Sequence, residues 1–155
     1  MYAADYTSNN QTRVFQLNGT KSPKWRHLQS IDHDFSLKND FLTLSISNNQ
    51  LKCCSYINDI IKVYSLSGEL LQTHGTPGRD DGGQLSGSYI SNDDDDGSVL
   101  IADWGNDRLQ VMSEQGEFSV LQLQPPVSQP RSAVLFNNHM FVMSLDKETI
   151  YKYSC

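Results

Sequence analysis

Three glycines, Gly19, Gly68 and Gly116, close segments of the same pattern and recur at intervals of 49 and 48 residues. The sharpest copy reads Leu100-Ile-Ala-Asp-Trp-Gly-Asn-Asp-Arg-Leu-Gln-Val-Met-Ser-Glu-Gln115 before Gly116. A degraded copy runs from Leu51 to Gly68, and Tyr2 to Gly19 ends in Arg-Val-Phe-Gln-Leu-Asn-Gly. A repeat of roughly 40–50 residues built from short strands is the signature of propeller blades, because one such unit buries its apolar face only against a neighbour. The pattern therefore predicts an all-β chain.

Each repeat divides into four strands. In the second, Leu42 to Ile46 alternates, Asn48-Asn49 makes a tight turn, and Leu51 to Tyr56 follows. Asn58-Asp59 turns again, Ile61 to Leu66 forms a third strand, and Glu69 to His74 a fourth. Two-residue Asn, Asp and Gly turns between β-rich runs are a strong hairpin signal. The third repeat has strands at Ser88–Ser91, Val99–Asp103, Leu109–Ser113 and Phe118–Leu123. The first repeat shows only its second to fourth strands (Tyr2–Asp5, Arg13–Leu17, Trp25–Gln29), and the last only Ala133–Phe136, Met140–Ser144 and Thr149–Ser154. The expected architecture is an incomplete propeller of three to four antiparallel blades, at approximately 1–30, 31–74, 75–124 and 125–155. Many propellers complete their last blade with a strand from upstream, so the chain reads as the C-terminal part of a longer propeller. Uncovered blade faces and strand edges invite association, so it is expected to self-associate or to dock on further blades.

The net charge of −6 argues against general polyanion binding, which needs clustered Lys and Arg. No run approaches ~18 apolar residues, so no membrane span is expected. The start, Met-Tyr-Ala-Ala-Asp-Tyr, lacks the basic and apolar regions of a signal peptide. Cys53, Cys54 and Cys155 show no zinc spacing. As adjacent strand residues, Cys53 and Cys54 point to opposite faces. Free thiols and the missing leader point to the cytoplasm. The sequons at Asn10 and Asn18 would suit secretion, but such short patterns arise often by chance.

The stretch Gly75-Thr-Pro-Gly-Arg-Asp-Asp-Gly-Gly-Gln-Leu85, followed by Val99-Leu-Ile-Ala-Asp-Trp-Gly-Asn-Asp-Arg-Leu-Gln-Val111, resembles NHL repeats, the propeller units at the C-terminus of many tripartite-motif proteins. The third repeat carries the resemblance most sharply; the others match at turns and third strands. Gly87 stands where the family usually has proline. The resemblance implies blades whose first strand is innermost, and recognition rather than chemistry. In tripartite-motif proteins a separate RING module recruits the ubiquitin-conjugating enzyme while the propeller chooses the partner or RNA. This sequence holds no RING, so any ligase activity would belong to a parent protein or bound subunit.

Strand direction reverses at each step, so connections between second and third strands share one face with the links between blades. That face carries Tyr6, Arg79, Trp104, Arg108 and Arg131, the candidate partner-binding residues, because interface hot spots are rich in aromatics and arginine. Each also has a structural reading. Asp103 and Asn106 suit a turn whose side chains bond local backbone; Trp104 also suits packing on a neighbouring blade, and Arg108 a turn or inter-blade bond. The opposite face carries the acidic run Asp93 to Asp96. With Asn92, Gly97 and Asp103 that run imitates a calcium loop. A strand over 99–103 would hold Asp103 roughly 20 Å from Gly97 at ~3.3 Å per residue, so the run reads as a solvated hairpin loop.

No catalytic motif is present, and no cofactor or metal site is expected. A metal-bearing lyase or lactonase would need acids or histidines on first strands, and Leu42–Ile46, Ser88–Ser91 and Ala133–Phe136 carry none. The expected function is a protein-recognition propeller, the substrate-selecting part of a tripartite-motif ubiquitin ligase. The alternative is single-stranded RNA binding by the same aromatic and arginine residues.

Overall fold

The computed structural model describes residues 2–7, 11–18, 24–32, 42–92 and 96–154; in the first sheet, side chains are described only at Arg13, Val14, Gln16, Arg26, His27, Ser30 and Ile31. Gly19, Asp93 to Asp95 and Cys155 lie outside the described residues. Four antiparallel sheets follow one another along the chain. The first holds β1 (Tyr2–Thr7), β2 (Gln11–Asn18) and β3 (Lys24–Asp32). The second holds β4 (Leu42–Ser47), β5 (Gln50–Ser55), β6 (Ile60–Ser65) and β7 (Leu70–His74). A short parallel pair, β8 (Thr76–Pro77) and β9 (Gln84–Leu85), sits in the glycine-rich loop. The third sheet holds β10 (Ser88–Asn92), β11 (Val99–Asp103), β12 (Arg108–Met112) and β13 (Phe118–Val120). The fourth holds β14 (Pro130–Phe136), β15 (His139–Ser144) and β16 (Thr149–Ser154).

The sheets of three, four, four and three strands match the sequence reading, and they are not closed into a ring. The differences are local. The last strand of the third sheet stops at Val120 rather than Leu123, three residues short. The β8–β9 pair and the 3-10 turn Trp104–Asn106 carry no periodicity that a sequence pattern would reveal. The tight turns behave as their residues demand: Asn48, Asn49, Asn137 and Asn138 all take positive φ, where asparagine is tolerated.

First strands pack against one another, β4 on β10 and β10 on β14, and β1 lies against β4. Three apolar clusters fill the gaps. Val14 and Ile31 meet Leu51, Cys53 and Tyr64 between the first two sheets. Cys54 and Ile61 meet Leu85, Ile90, Val99, Ile101 and Met112 in the next gap. Leu100, Ala102 and Leu109 meet Ala133, Met140, Val142 and Tyr153 in the last. Cys53 and Cys54 thus face opposite clusters, as strand pleating requires. A middle sheet covered on both faces also explains why Ile61, Lys62, Val63 and Tyr64 are all buried, with no polar alternation between them.

Lys52 was not singled out from the sequence, and it is 1% exposed. Its Nζ donates to Ser47 Oγ at 2.7 Å and to the Gly97 carbonyl at 2.8 Å, tying the second sheet to the turn that opens β11. Burial pushes its pKa down, against the opposing pull of Glu114 and Asp96.

Two consequences concern the gap between the second and third sheets. Gly116 has φ +87°, and a Cβ there would run into the His74 ring. Gly116→Ala is expected to cost more than ~1 kcal/mol, since alanine resists positive φ and the ring must move; urea denaturation measures it. Burial also pushes the His74 imidazole below the usual histidine value. As pH falls below about 6.5 the unfolded chain therefore takes up the proton first, and stability declines. His74→Leu should remove that part of the slope, read from urea midpoints at pH 7.5 and 5.5. Leucine suits the site because Leu121 occupies the matching place in the next sheet, its N–H bonded to the Leu109 carbonyl.

Candidate interaction face

In the second and third sheets the connection between second and third strands carries the same Asn-Asp pair, Asn58-Asp59 and Asn106-Asp107. Asp59 and Asp107 both adopt φ +53°, which a short polar side chain accepts. Their carboxylates reach into the loop that leads to the next sheet. Asp59 Oδ1 accepts from Gly87 N–H at 2.6 Å, and Asp107 Oδ1 accepts from Gln129 N–H at 2.7 Å. This bond explains the glycine found where the family usually has proline. Residue 87 must donate its N–H and hold φ +61°, and proline can do neither.

The same position brings aromatics together. A Cβ at Gly87 would strike Tyr56 and crowd Trp104. Tyr56 lies 6.3 Å from Trp104 and 5.4 Å from Tyr89, ring centre to ring centre. The Arg131 guanidinium carbon stands 4.6 Å above the Tyr89 ring, a cation–π distance. All four side chains are half-buried. The row runs across three sheets: Tyr56 follows β5, Tyr89 lies on β10, Trp104 opens the turn between β11 and β12, and Arg131 lies on β14. Burial raises the Tyr89 pKa while Arg131 pulls it the other way, and the phenol stays neutral at physiological pH. The indole N–H of Trp104 is buried and has no hydrogen-bond partner among the described residues.

The residues singled out from sequence are thus divided. Trp104 and Arg131 meet in one cluster. Arg79 is exposed on the loop between β8 and β9. Tyr6 lies on β1 opposite Thr12, and its side chain is outside the described residues. Arg108 turns inward. Its Nε donates to Asp103 Oδ2 at 2.9 Å, and its terminal nitrogens donate to Asp81 and to the carbonyls of Asp80 and Gln84. Four of its five N–H donors are therefore used within the chain. Tyr56 and Tyr89 were not singled out. Tyr56 ends the expected strand Leu51–Tyr56 and Tyr89 falls inside a short strand, so both read as ordinary strand aromatics.

Asp103 is the hub of the corner, fully buried. Oδ1 accepts from Ser86 N–H at 2.9 Å and Ser88 Oγ at 3.0 Å. Oδ2 accepts from Asn106 Nδ2 at 2.8 Å, Arg108 Nε at 2.9 Å and Gln110 Nε2 at 3.0 Å. Its donors are mainly side chains, rather than the turn N–H groups expected. Asp103 pairs with Ser88 while Asn92 pairs with Val99, so it stands at the far end of the hairpin from the acidic loop. Among the described residues no three His, Cys, Asp or Glu side chains gather closely enough to hold a metal ion, and no helix is long and apolar enough to cross a membrane.

No family model and no curated protein matches the chain. Solved structures do. A Bacteroides thetaiotaomicron protein of unknown function matches 99% of this chain and 44% of its own, at 14% identity and a TM-score of 0.71. Virginiamycin B lyase from Staphylococcus aureus with quinupristin matches 99% of this chain and 55% of its own, at 14% identity and a TM-score of 0.57. Glutaminyl cyclase from Myxococcus xanthus matches 92% and 61%, at 15% identity and a TM-score of 0.53. The chain spans about half the length of these structures, and the likeness shows the fold, a β-propeller.

Proposed function

We propose that this chain is a protein-recognition propeller module, and that its partner seats on the row Tyr56, Tyr89, Trp104 and Arg131. The observation that carries this reading is the row itself: three aromatic rings and one guanidinium from three sheets, on the face where strand-connecting turns emerge. Half-buried aromatics and arginine lose little side-chain freedom on binding and dominate interface energetics. The net charge of −6 favours a protein partner over a polyanion. Following the NHL resemblance, the module serves as the partner-choosing part of a tripartite-motif type ubiquitin ligase, with the ligase chemistry supplied elsewhere.

The test compares the wild-type chain with Trp104→Ala and Arg131→Ala, each tagged and isolated from cells with and without ribonuclease. Each substitution is expected to weaken a discrete protein partner about 30-fold, the effect of losing a hot spot of roughly 2 kcal/mol. Partners that ignore both substitutions would overturn the reading. Partners that vanish with ribonuclease would assign the row to single-stranded RNA.

A further inference from the structure

Arg131 is an extra residue in its strand. Pro130 pairs with Ser144 and Ser132 with Met143, so the ladder between β14 and β15 skips position 131 and makes a β-bulge. The first strands of the second and third sheets pair with their neighbours without a break, so neither has a counterpart to it. Bulges turn a side chain away from the direction the pleat would give it. This one is pinned on both sides. Before it, Gln129 N–H donates to Asp107 at 2.7 Å, and its carbonyl accepts from Leu145 N–H at 3.1 Å. Ser144 Oγ donates to the Ser128 carbonyl at 2.6 Å. After it, Ser91 Oγ donates to the Ala133 carbonyl at 2.5 Å, which ties β10 to β14. Between these ties the guanidinium lies over the Tyr89 ring, 4.6 Å from its centre.

Among the described residues no carboxylate or carbonyl accepts from Arg131, so its five N–H donors are unspent. Arg108, by contrast, spends four of its own within the chain. The Arg131 side chain is half-buried and already positioned, so a partner pays little to order it. A planar guanidinium fork matches a carboxylate through two parallel hydrogen bonds. The row holds one cation and the chain carries −6. One carboxylate therefore fits it, whereas a phosphate backbone or a run of acids needs clustered cations. We infer that the row receives a single Asp or Glu side chain of the partner protein, bound by Arg131, with a large apolar neighbour of that residue resting on Tyr56 and Trp104. This inference rests on the row being the partner site and adds the chemistry the partner must bring.

The test selects binders to the intact chain from a phage library of random short peptides. Their C-termini are fused to the coat protein, so side chains alone carry carboxylates. Selected peptides are expected to place one Asp or Glu beside a large apolar residue. One such peptide, acetylated and amidated, is then titrated by fluorescence anisotropy beside a version whose acid is replaced by its amide. The amide version should bind the wild-type chain about tenfold more weakly or worse, the loss of a charged hydrogen-bonded pair. The two peptides should bind Arg131→Gln equally, because the acid and Arg131 act on each other. Arg131→Lys keeps the charge but not the fork, and should distinguish the two peptides less well than wild type. Peptides without an acid, or an acid that matters equally in both chains, would overturn the inference. If those same peptides still fail on Trp104→Ala, the row stands as a partner site; if they ignore it, that reading falls as well. Should the amide version with a free C-terminus bind as tightly as the parent, the site reads a chain end, and the inference is overturned.

Discussion

Asp103→Ala is expected to lower the melting temperature by roughly 10 °C, the equivalent of about 3–5 kcal/mol in a chain of this size. The carboxylate is fully buried and satisfies five donors from four segments of the chain: Ser86, Ser88, Asn106, and the β12 pair Arg108 and Gln110. Alanine removes the acceptor shared by all five N–H and O–H groups, and one of the two carboxylates paired with a nearly buried guanidinium, 11% exposed; the other, Asp81, stands in solvent. Each buried unsatisfied donor costs more than a formed bond contributes. Asp103→Asn is expected to be nearly as damaging despite its equal size. Both carboxylate oxygens face donors, so either orientation of the amide turns its NH₂ group toward other N–H or O–H groups. Differential scanning calorimetry of the three proteins measures the order. An asparagine variant as stable as wild type would mean that the network is held by shape rather than by charge.

The second large effect sets one repeat position against itself. Leu109 and Ile150 occupy equivalent places on β12 and β16, but Leu109 is 0% exposed and Ile150 is 68% exposed. Leu109→Ala should cost about 2–5 kcal/mol, because the side chain is enclosed between the third and fourth sheets and its removal leaves a cavity. Ile150→Ala should fall within about 0.5 kcal/mol of wild type, as exposed substitutions do. Cys54, Ala102 and Met143 show the same progression on the second strands: buried, buried, then 39% exposed. Chemical denaturation of the two variants side by side tests whether each sheet draws its stability from the one that follows it. Equal costs would mean that the face of the fourth sheet is already covered in solution.

The repeat, its strand order and most of its turns are legible in the residue pattern alone. Those features are written in local chemistry: asparagine where φ is positive, glycine after the third strand, and adjacent cysteines directed to opposite faces. Gly87 was legible as a departure from the family pattern, but its reason was not, because the Asp59 carboxylate that needs its N–H lies 28 residues away. Which candidates share a site depends on how the sheets pack. Packing placed Trp104 with Tyr56 and Arg131 with Tyr89, and it turned Arg108 inward to Asp103, although Trp104 and Arg108 are four residues apart in the same corner. It also distinguished Leu109 from Ile150, whose chemistry and register are alike. Local pattern sets which face a side chain points to; what stands opposite that face depends on the packing of neighbouring sheets, through contacts far apart in sequence.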